Sequence, residues 1–444
     1  MEKVKTKLSY ILFLIILLAA SSCNTTEPPP NGDKPTLALK LEDVSCTEAW
    51  IELTTTNLQL PTTITLKQLN LTGDTTFQII NLNTKDSLLY IDSLLPNQNY
   101  IFQSVIHPIN QSEAKSNELS VTTMDTTSHN FTFDTITFGT IGSSTLYDVA
   151  IINENNIWAV GEILIADTSQ NGYTTYNAVH WDGSQWELKS IPFLFQGDSF
   201  YNPIYAVFAF NADDIWFGIG NLIHWDGTRF FPVGISSVFQ SLVNKIWGSN
   251  SNDLYVVGNN GNIAWYNGTL WTKIESGTEL NVNDIWGDFN EKTGEWEILA
   301  VASNIFSSLE KEVIKINHLN SQILSSDGID ETLRSVWFKS NIKYYTVGSG
   351  TYKKNKLSDA IWEGNPLDIT NYFENRIRAN DINDVFIAGA LGELLHFNGV
   401  RWKSYLNETG LFNGAYLSAG IKNNILVAVG YEATQAKIIV GNRE

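Results

Sequence analysis

From about residue 130 onward the apolar positions fall into short runs that recur along the chain. One kind of run is an apolar-aromatic strand that follows an acidic or amide turn and ends near a glycine. It reads Asn156-Ile157-Trp158-Ala159-Val160-Gly161, Asp214-Ile215-Trp216, Asp253-Leu254-Tyr255-Val256-Val257-Gly258 and Asp384-Val385-Phe386-Ile387-Ala388-Gly389, with further copies at 298–301, 344–348 and 426–430. With Trp158, Trp216, Tyr255, Leu299, Tyr345, Phe386 and Val427 taken as equivalent, the copies lie about 40–60 residues apart. A second apolar run precedes each of them, at 146–151, 204–208, 243–247, 282–286, 333–337, around Ile377 and at Ala415-Tyr416. A third mark follows in four repeats: His180-Trp181-Asp182-Gly183-Ser184-Gln185-Trp186, His224-Trp225-Asp226-Gly227-Thr228-Arg229-Phe230, Trp265-Tyr266-Asn267-Gly268-Thr269-Leu270-Trp271 and His396-Phe397-Asn398-Gly399-Val400-Arg401-Trp402. Its Asp-Gly or Asn-Gly pair suits a two-residue hairpin turn, because Gly, Asn and Asp tolerate positive φ best.

Seven such repeats of about 45 residues match the size of a four-stranded propeller blade. The fourth lacks the glycine hairpin, and the fifth keeps only Trp362-Glu363-Gly364. The seventh has no outer-strand pattern of its own. The run from Phe131 to Phe138, just before the first repeat, is expected to supply that strand and close the ring, which leaves no open edge. Residues 36–125 alternate with period two in short stretches at 49–53, 63–69, 77–82, 88–91, 100–105 and 118–122, which predicts a small β-sandwich. The expected fold is therefore all-β: a sandwich over 36–125, then a seven-bladed propeller over 130–444.

Two resemblances sharpen this. Leu94-Leu95-Pro96-Asn97-Gln98-Asn99-Tyr100 resembles the Leu-x-Pro-x-x-x-Tyr stretch of fibronectin type III domains. It implies a corner made by Tyr100 and a core Trp on an early strand, for which Trp50 is the candidate, in a module that serves as a spacer. The propeller repeat resembles repeats of bacterial secreted proteins. It is more distantly similar to the propeller of photosystem assembly factors and to the Asp-box propellers of sialidases.

The N-terminus changes the picture of where the chain resides. Lys3, Lys5 and Lys7 precede an almost wholly apolar stretch at 8–18, then Ala19-Ala20-Ser21-Ser22-Cys23. A charged start, a short apolar run and small residues describe a secretory signal over 1–22, and the run is too short to span a bilayer. The Ala-Ser-Ser-Cys ending resembles the lipobox of bacterial lipoproteins, with Ala20 where that motif most often has Leu. It implies cleavage before Cys23 and acylation of that residue, hence stable anchoring. Asn24 rather than an acidic residue follows, which favours the outer membrane of the cell envelope, facing either the periplasm or the surface. Residues 23–35, with three consecutive prolines, form a tether. Lipidation of Cys23 leaves Cys46, the other of two cysteines, without a partner. The net charge of −19 argues against nucleic acid as a partner.

Candidate chemistry is sparse. A sialidase site needs clustered arginines, and no triad spacing emerges among Arg229, Arg334, Arg376, Arg378, Arg401 and Arg443. His180, His224 and His396 occupy one position in three repeats, so symmetry holds them apart rather than around a metal. Asp182 and Asp226 read as turn formers, since Asn267 and Asn398 fill the same slot uncharged. No serine elbow, phosphate loop or Cys-His pair occurs, and no cofactor is expected. The remaining lead is aromatic. Segments 164–176 and 193–202 read as inserted loops carrying Tyr173, Tyr176, Phe195, Phe200 and Tyr201, residues able to grip a protein or a glycan. The reading is an envelope-anchored, non-enzymatic docking protein; the alternative is a glycan-acting hydrolase or lyase with carboxylates at the propeller channel.

Overall fold

The computed structural model describes residues 34–444 except residue 71 and residues 108–112, 305–309 and 366–368. Residues 1–22, expected to be a signal segment, Cys23 and most of the expected tether lie outside the described residues. None of the described helices is long and apolar enough to cross a membrane.

The N-terminal strands form two sheets. One orders Thr36–Val44, Ala49–Thr56 and Asp86–Ile91; the other orders Thr75–Leu82, Thr62–Asn70, Asn99–Ile106 and Ala114–Lys115, with Leu119–Thr122 also on Asn99–Ile106. Strand alternation puts Ile51, Leu53, Ile64, Leu66, Tyr100 and Phe102 in the core, as the period-two pattern requires. Trp50 is buried too, but on the other face of its strand, with its ring 5.7 Å from that of Tyr90. By contacts the chain divides into two compact units. Residues 43–50 and 90–98 group with residues 122–444, and the other N-terminal strands form the first unit. The second unit thus reaches back further than residue 130.

In the second unit seven four-stranded antiparallel sheets follow one another along the chain. Their first strands are Thr145–Asn153, Ala206–Asn211, Val243–Asn250, Val282–Asn290, Leu333–Lys339, Glu374–Asp381 and Gly414–Lys422. Each first strand lies against that of the next sheet, and the seventh lies against the first, so these strands are innermost in a closed ring. The outer strand of the last sheet is Phe131–Phe138, paired with Gln435–Arg443 from Phe138↔Ala436 to Phe131↔Arg443. The orphan run therefore closes the ring, as its place before the first repeat led one to expect. Apolar residues fill the spaces between successive sheets. Trp247 of the third sheet packs so closely on Gly287 of the fourth that a Cβ there would meet its ring at 2.3 Å. Burying an aromatic of this size contributes about 2–3 kcal/mol.

Six of the seven innermost strands carry a bulge at one place, between Leu146 and Asp148, Val243 and Lys245, Val282 and Asp284, Leu333 and Ser335, Glu374 and Arg376, and Tyr416 and Ser418. In three of them the extra residue is an Asn that ties its sheet to the next. Asn244, Asn283 and Asn375 donate through Nδ2 to the carbonyls of Val282, Leu333 and Tyr416 at 3.0, 2.9 and 2.9 Å.

The repeated hairpin differs from the expected two-residue turn. Trp181 pairs with Trp186, Trp225 with Phe230, Tyr266 with Trp271 and Phe397 with Trp402, so each loop has four residues. Only the glycine takes positive φ, at 93°, 88°, 85° and 93° for Gly183, Gly227, Gly268 and Gly399. The Asp or Asn holds the turn with its side chain instead: Asp182 Oδ1 accepts the backbone N–H groups of Ser184 and Gln185 at 2.8 and 2.9 Å. The fourth sheet, without the phrase, does use a two-residue turn, His318-Leu319, between paired Asn317 and Asn320.

Candidate functional site

Antiparallel order gives the ring two distinct faces. Turns between first and second strands, and between third and fourth, come at one face; the second-to-third connections and the links between sheets come at the other. Both insert segments belong to the second kind, and neither is a plain loop. Residues 164–166 and 173–176 extend the second and third strands of the first sheet, pairing Leu164 with Thr175 and Ala166 with Tyr173. Tyr173 stays 40% exposed at the tip. Tyr176 is corrected from a loop residue to a strand residue, because it packs on the cluster of Leu146, Ile163 and Val179. Phe193–Phe195 pairs with Asp198–Phe200 as a separate two-stranded hairpin. Its Leu194, Phe195 and Phe200, with the following Tyr201, are 42–54% exposed. The structure thus groups Phe195, Phe200 and Tyr201 on one short projection, and places Tyr176 elsewhere. Two aromatics the sequence reading passed over, Phe289 and Trp296, are 40% and 43% exposed on the opposite face, with ring centroids 5.5 Å apart.

The histidines do not converge. His180, His224 and His396 stack on Trp158, Trp216 and Phe386 of the neighbouring strand at 4.3, 4.2 and 4.3 Å. Each Nε2 meets the residue that opens that strand: Asn156 at 2.9 Å, Asp214 at 2.8 Å and Asp384 at 3.0 Å. In the third sheet Trp265 takes the histidine's place and donates to Asp253 at 2.7 Å. The position is a clamp between strands, and the described residues contain no group of three or more His, Cys, Asp or Glu able to hold a metal. His396 has a further contact, its Nδ1 lying 2.8 Å from Nδ1 of His129. Burial, then repulsion from His396, pushes His129 down to about 4, so His129 is neutral at pH 7; burial also lowers His396, against the pull of Asp384. Asp384 also pairs with Arg443 at the end of the strand Gln435–Arg443.

The turn carboxylates are held ionised. The backbone N–H of Gln185 and the Ser184 groups bring Asp182 down to about 2, and the Thr228 hydroxyl and Arg229 N–H bring Asp226 down to about 2. Such groups serve as acceptors and are poor proton donors. One carboxyl shifts the other way. Burial pushes Glu374 up to about 8, with Thr351 donating to it at 2.8 Å and Glu393 adding repulsion. Glu393 is itself engaged by Thr370 and Ser404, each at 2.6 Å. Both carboxyls are tied to hydroxyls of the fold.

Polar chemistry in the ring concentrates on the innermost strands. The residue after each of these bulges, together with its counterpart in the first strand of the second sheet, which lacks a bulge at that place, gives Asp148, Val207, Lys245, Asp284, Ser335, Arg376 and Ser418. Asp148 accepts Lys245 Nζ on both oxygens at 2.6 and 2.7 Å, the Val207 N–H at 3.0 Å and the Ser418 hydroxyl at 2.7 Å. Asp284 accepts Arg378 through two N–H groups at 2.8 and 2.9 Å, the Ser335 hydroxyl at 2.5 Å and the Val336 N–H at 3.1 Å. Arg376 Nη1 lies 2.5 Å from Asp284 but is not aligned for a hydrogen bond. Burial would raise Asp284, yet Arg376 and Arg378 outweigh it and hold the carboxyl well below its usual range. The channel carboxylates are thus locked into ion pairs. Three arginines that show no spacing in the sequence, Arg334, Arg376 and Arg378, come together here.

No protein-family model matches this sequence, and no curated protein matches it. Among solved structures the chain is similar to YCF48 bound to D1 peptide, at 14% identity and TM-score 0.51, over 70% of this chain and 97% of that one. It is likewise similar to YCF48 from Cyanidioschyzon merolae, at 12% identity and TM-score 0.50, over 70% of this chain and 98% of that one. At this level of identity the likeness shows the fold, a β-propeller.

Proposed function

We propose that this chain is an envelope-anchored, non-enzymatic docking protein. In this reading Cys23 carries the lipid, residues 24–35 hold the body off the membrane, a fibronectin type III-like module acts as spacer, and the seven sheets are the seven blades of a propeller that grips a polypeptide partner. The observation that carries it is the hairpin of Leu194, Phe195 and Phe200 with Tyr201: four large apolar side chains left exposed on one short projection. Exposed apolar groups gathered in one place mark interaction surfaces. The locked state of Asp148 and Asp284 weighs against hydrolysis at the channel. That a propeller of similar fold is bound to a peptide supports the class of partner.

The test uses mature protein and a triple variant, Phe195→Ser, Phe200→Ser and Tyr201→Ser, probed against arrays of envelope-protein peptides and of glycans. Peptide binding that the variant loses, at unchanged melting temperature, is expected. Peptide binding that survives the triple change, or turnover of a glycan by the native protein, overturns the reading. Anchoring is checked separately: alkyne-palmitate should label the native chain and not Cys23→Ala.

A further inference from the structure

The innermost strands bring four cationic side chains, Lys245, Arg334, Arg376 and Arg378, to two carboxylates, Asp148 and Asp284. Both carboxylates already accept several hydrogen bonds each. The donors, by contrast, are in surplus. Nε and Nη1 of Arg376, which is 6% exposed, and Nε of Arg334 are buried without a hydrogen-bond partner. A positive surplus in a low-dielectric ring is costly unless an anion completes it. It stands in a chain of net charge −19, so it is a local arrangement and not a reflection of overall composition.

Above this charge, toward the face of the first-to-second-strand turns, lies a cavity of about 190 Å³ that reaches Lys245, Arg378 and the exposed Lys422. Arg334 and Arg376 are not in its lining and add their charge from beyond it. Its wall is apolar, formed among others by Ala150, Phe208, Ala209, Trp247, Trp286 and Ile421. Arg378 lies over the Trp286 ring at 5.1 Å. The volume holds about six waters at ~30 Å³ each, or one compact organic group. An inorganic anion would satisfy the floor and leave the wall wet. A neutral apolar molecule would fill the wall and leave the charge uncompensated.

We propose that this channel mouth binds a carboxylate carried on a compact apolar body, its charge directed at Lys245 and Arg378 and its body against the two tryptophans. The site is on the opposite face from the exposed hairpin and does not depend on the docking reading. Either a free organic acid or the terminal residue of a polypeptide presents this chemistry.

The probes are 3-phenylpropanoate and its amide, and an N-acetylated dipeptide ending in phenylalanine with free or amidated C-terminus. Binding to mature protein is read by calorimetry and by the fluorescence of the lining tryptophans. The acids are expected to bind about tenfold or more tighter than the amides, and to weaken as chloride is raised. Arg378→Gln should remove the preference for acid over amide. Because that change disturbs a buried pair, Ala209→Trp provides a second test: it fills the cavity from the wall and leaves every ion pair in place. It should abolish binding while the protein stays folded. Equal affinity for acid and amide, unchanged affinity in Ala209→Trp, or no binding of any acid at millimolar concentration overturns the proposal. If the acids bind, the dipeptide arm tells the two sources apart: binding of phenylpropanoate alone assigns the site to free acids, and binding of the dipeptide acid as well extends it to polypeptide ends.

Discussion

The first, second, third and sixth sheets carry the aromatic hairpin phrase; the fourth and fifth do not. All six are four-stranded, in the same order. The phrase therefore does not make the sheet. It settles one turn and, through the residue that opens it, one clamp to the neighbouring strand. What every sheet shares is the innermost strand, its apolar flanks and, in six of seven, the bulge that sets a polar residue into the channel. If that is right, damage to the inner strands should outweigh damage to the turns.

The largest expected effect is at Asp284. Replacing it with Ala leaves Arg376 and Arg378 buried without their carboxylate, which should cost about 3–5 kcal/mol and show as a fall in denaturant midpoint. The comparison breaks if the loss is no larger than that of a turn variant. Next is Glu374, also on an inner strand. Its folded-state pKa is raised from 4.5 to about 8. Its stabilising effect is therefore complete below the unfolded value and disappears as pH rises through about 8. Glu374→Gln should remove a pH-dependent loss on the order of 5 kcal/mol across that window, measured by unfolding at a series of pH values. If the native protein keeps its stability from pH 4.5 to 8.5, the carboxyl is not buried as described.

Turn changes should be smaller. Gly268→Ala forces an L side chain to φ 85°, with its Cβ 2.8 Å from that of Asn252. It should cost ~1–2 kcal/mol. In the fourth sheet the corresponding place is held by His318 at φ 46°, already a side chain in left-handed backbone. His318→Gly should change stability by no more than ~0.5 kcal/mol, because relief of strain offsets the lost contact with Trp265 at 5.3 Å.

Most of the fold was legible in the sequence because it is written locally and repeated. The strand following Asn156, Asp214, Asp253 and Asp384 recurs often enough to set the period, and the closing run from Phe131 declares itself by lying outside the repeats while the seventh lacks an outer strand. The turn geometry was misread because Asp-Gly suits both a two-residue turn and a four-residue one; the choice depends on whether the Asp side chain accepts the next amides. The channel was not legible. Its residues occupy a repeated slot, seen in Val243-Asn244-Lys245 and Val282-Asn283-Asp284, but the side chains differ from copy to copy. Their partners come from other sheets: Lys245 and Asp148 are 97 residues apart, and Arg378 and Asp284 are 94. Pattern reading finds positions along one strand and cannot say which charges meet across a ring. The same limit hid the Arg334, Arg376 and Arg378 cluster, while Phe195, Phe200 and Tyr201 could be found because they interrupt the repeat.

Closing the ring joins residues that emerge from the ribosome far apart in time: the Thr132 hydroxyl and the Asn442 carbonyl it meets are 310 residues apart. Until Gln435–Arg443 is present, the strand at Phe131–Phe138 has nowhere to pair and the ring is an open arc with two raw edges. The nine-residue strand Gln435–Arg443 is thus a timing device. A chain cut before it would hold six complete sheets and still be unable to shut. Such a product should be recognised by proteases and chaperones as unfinished, whatever the quality of the sheets already made.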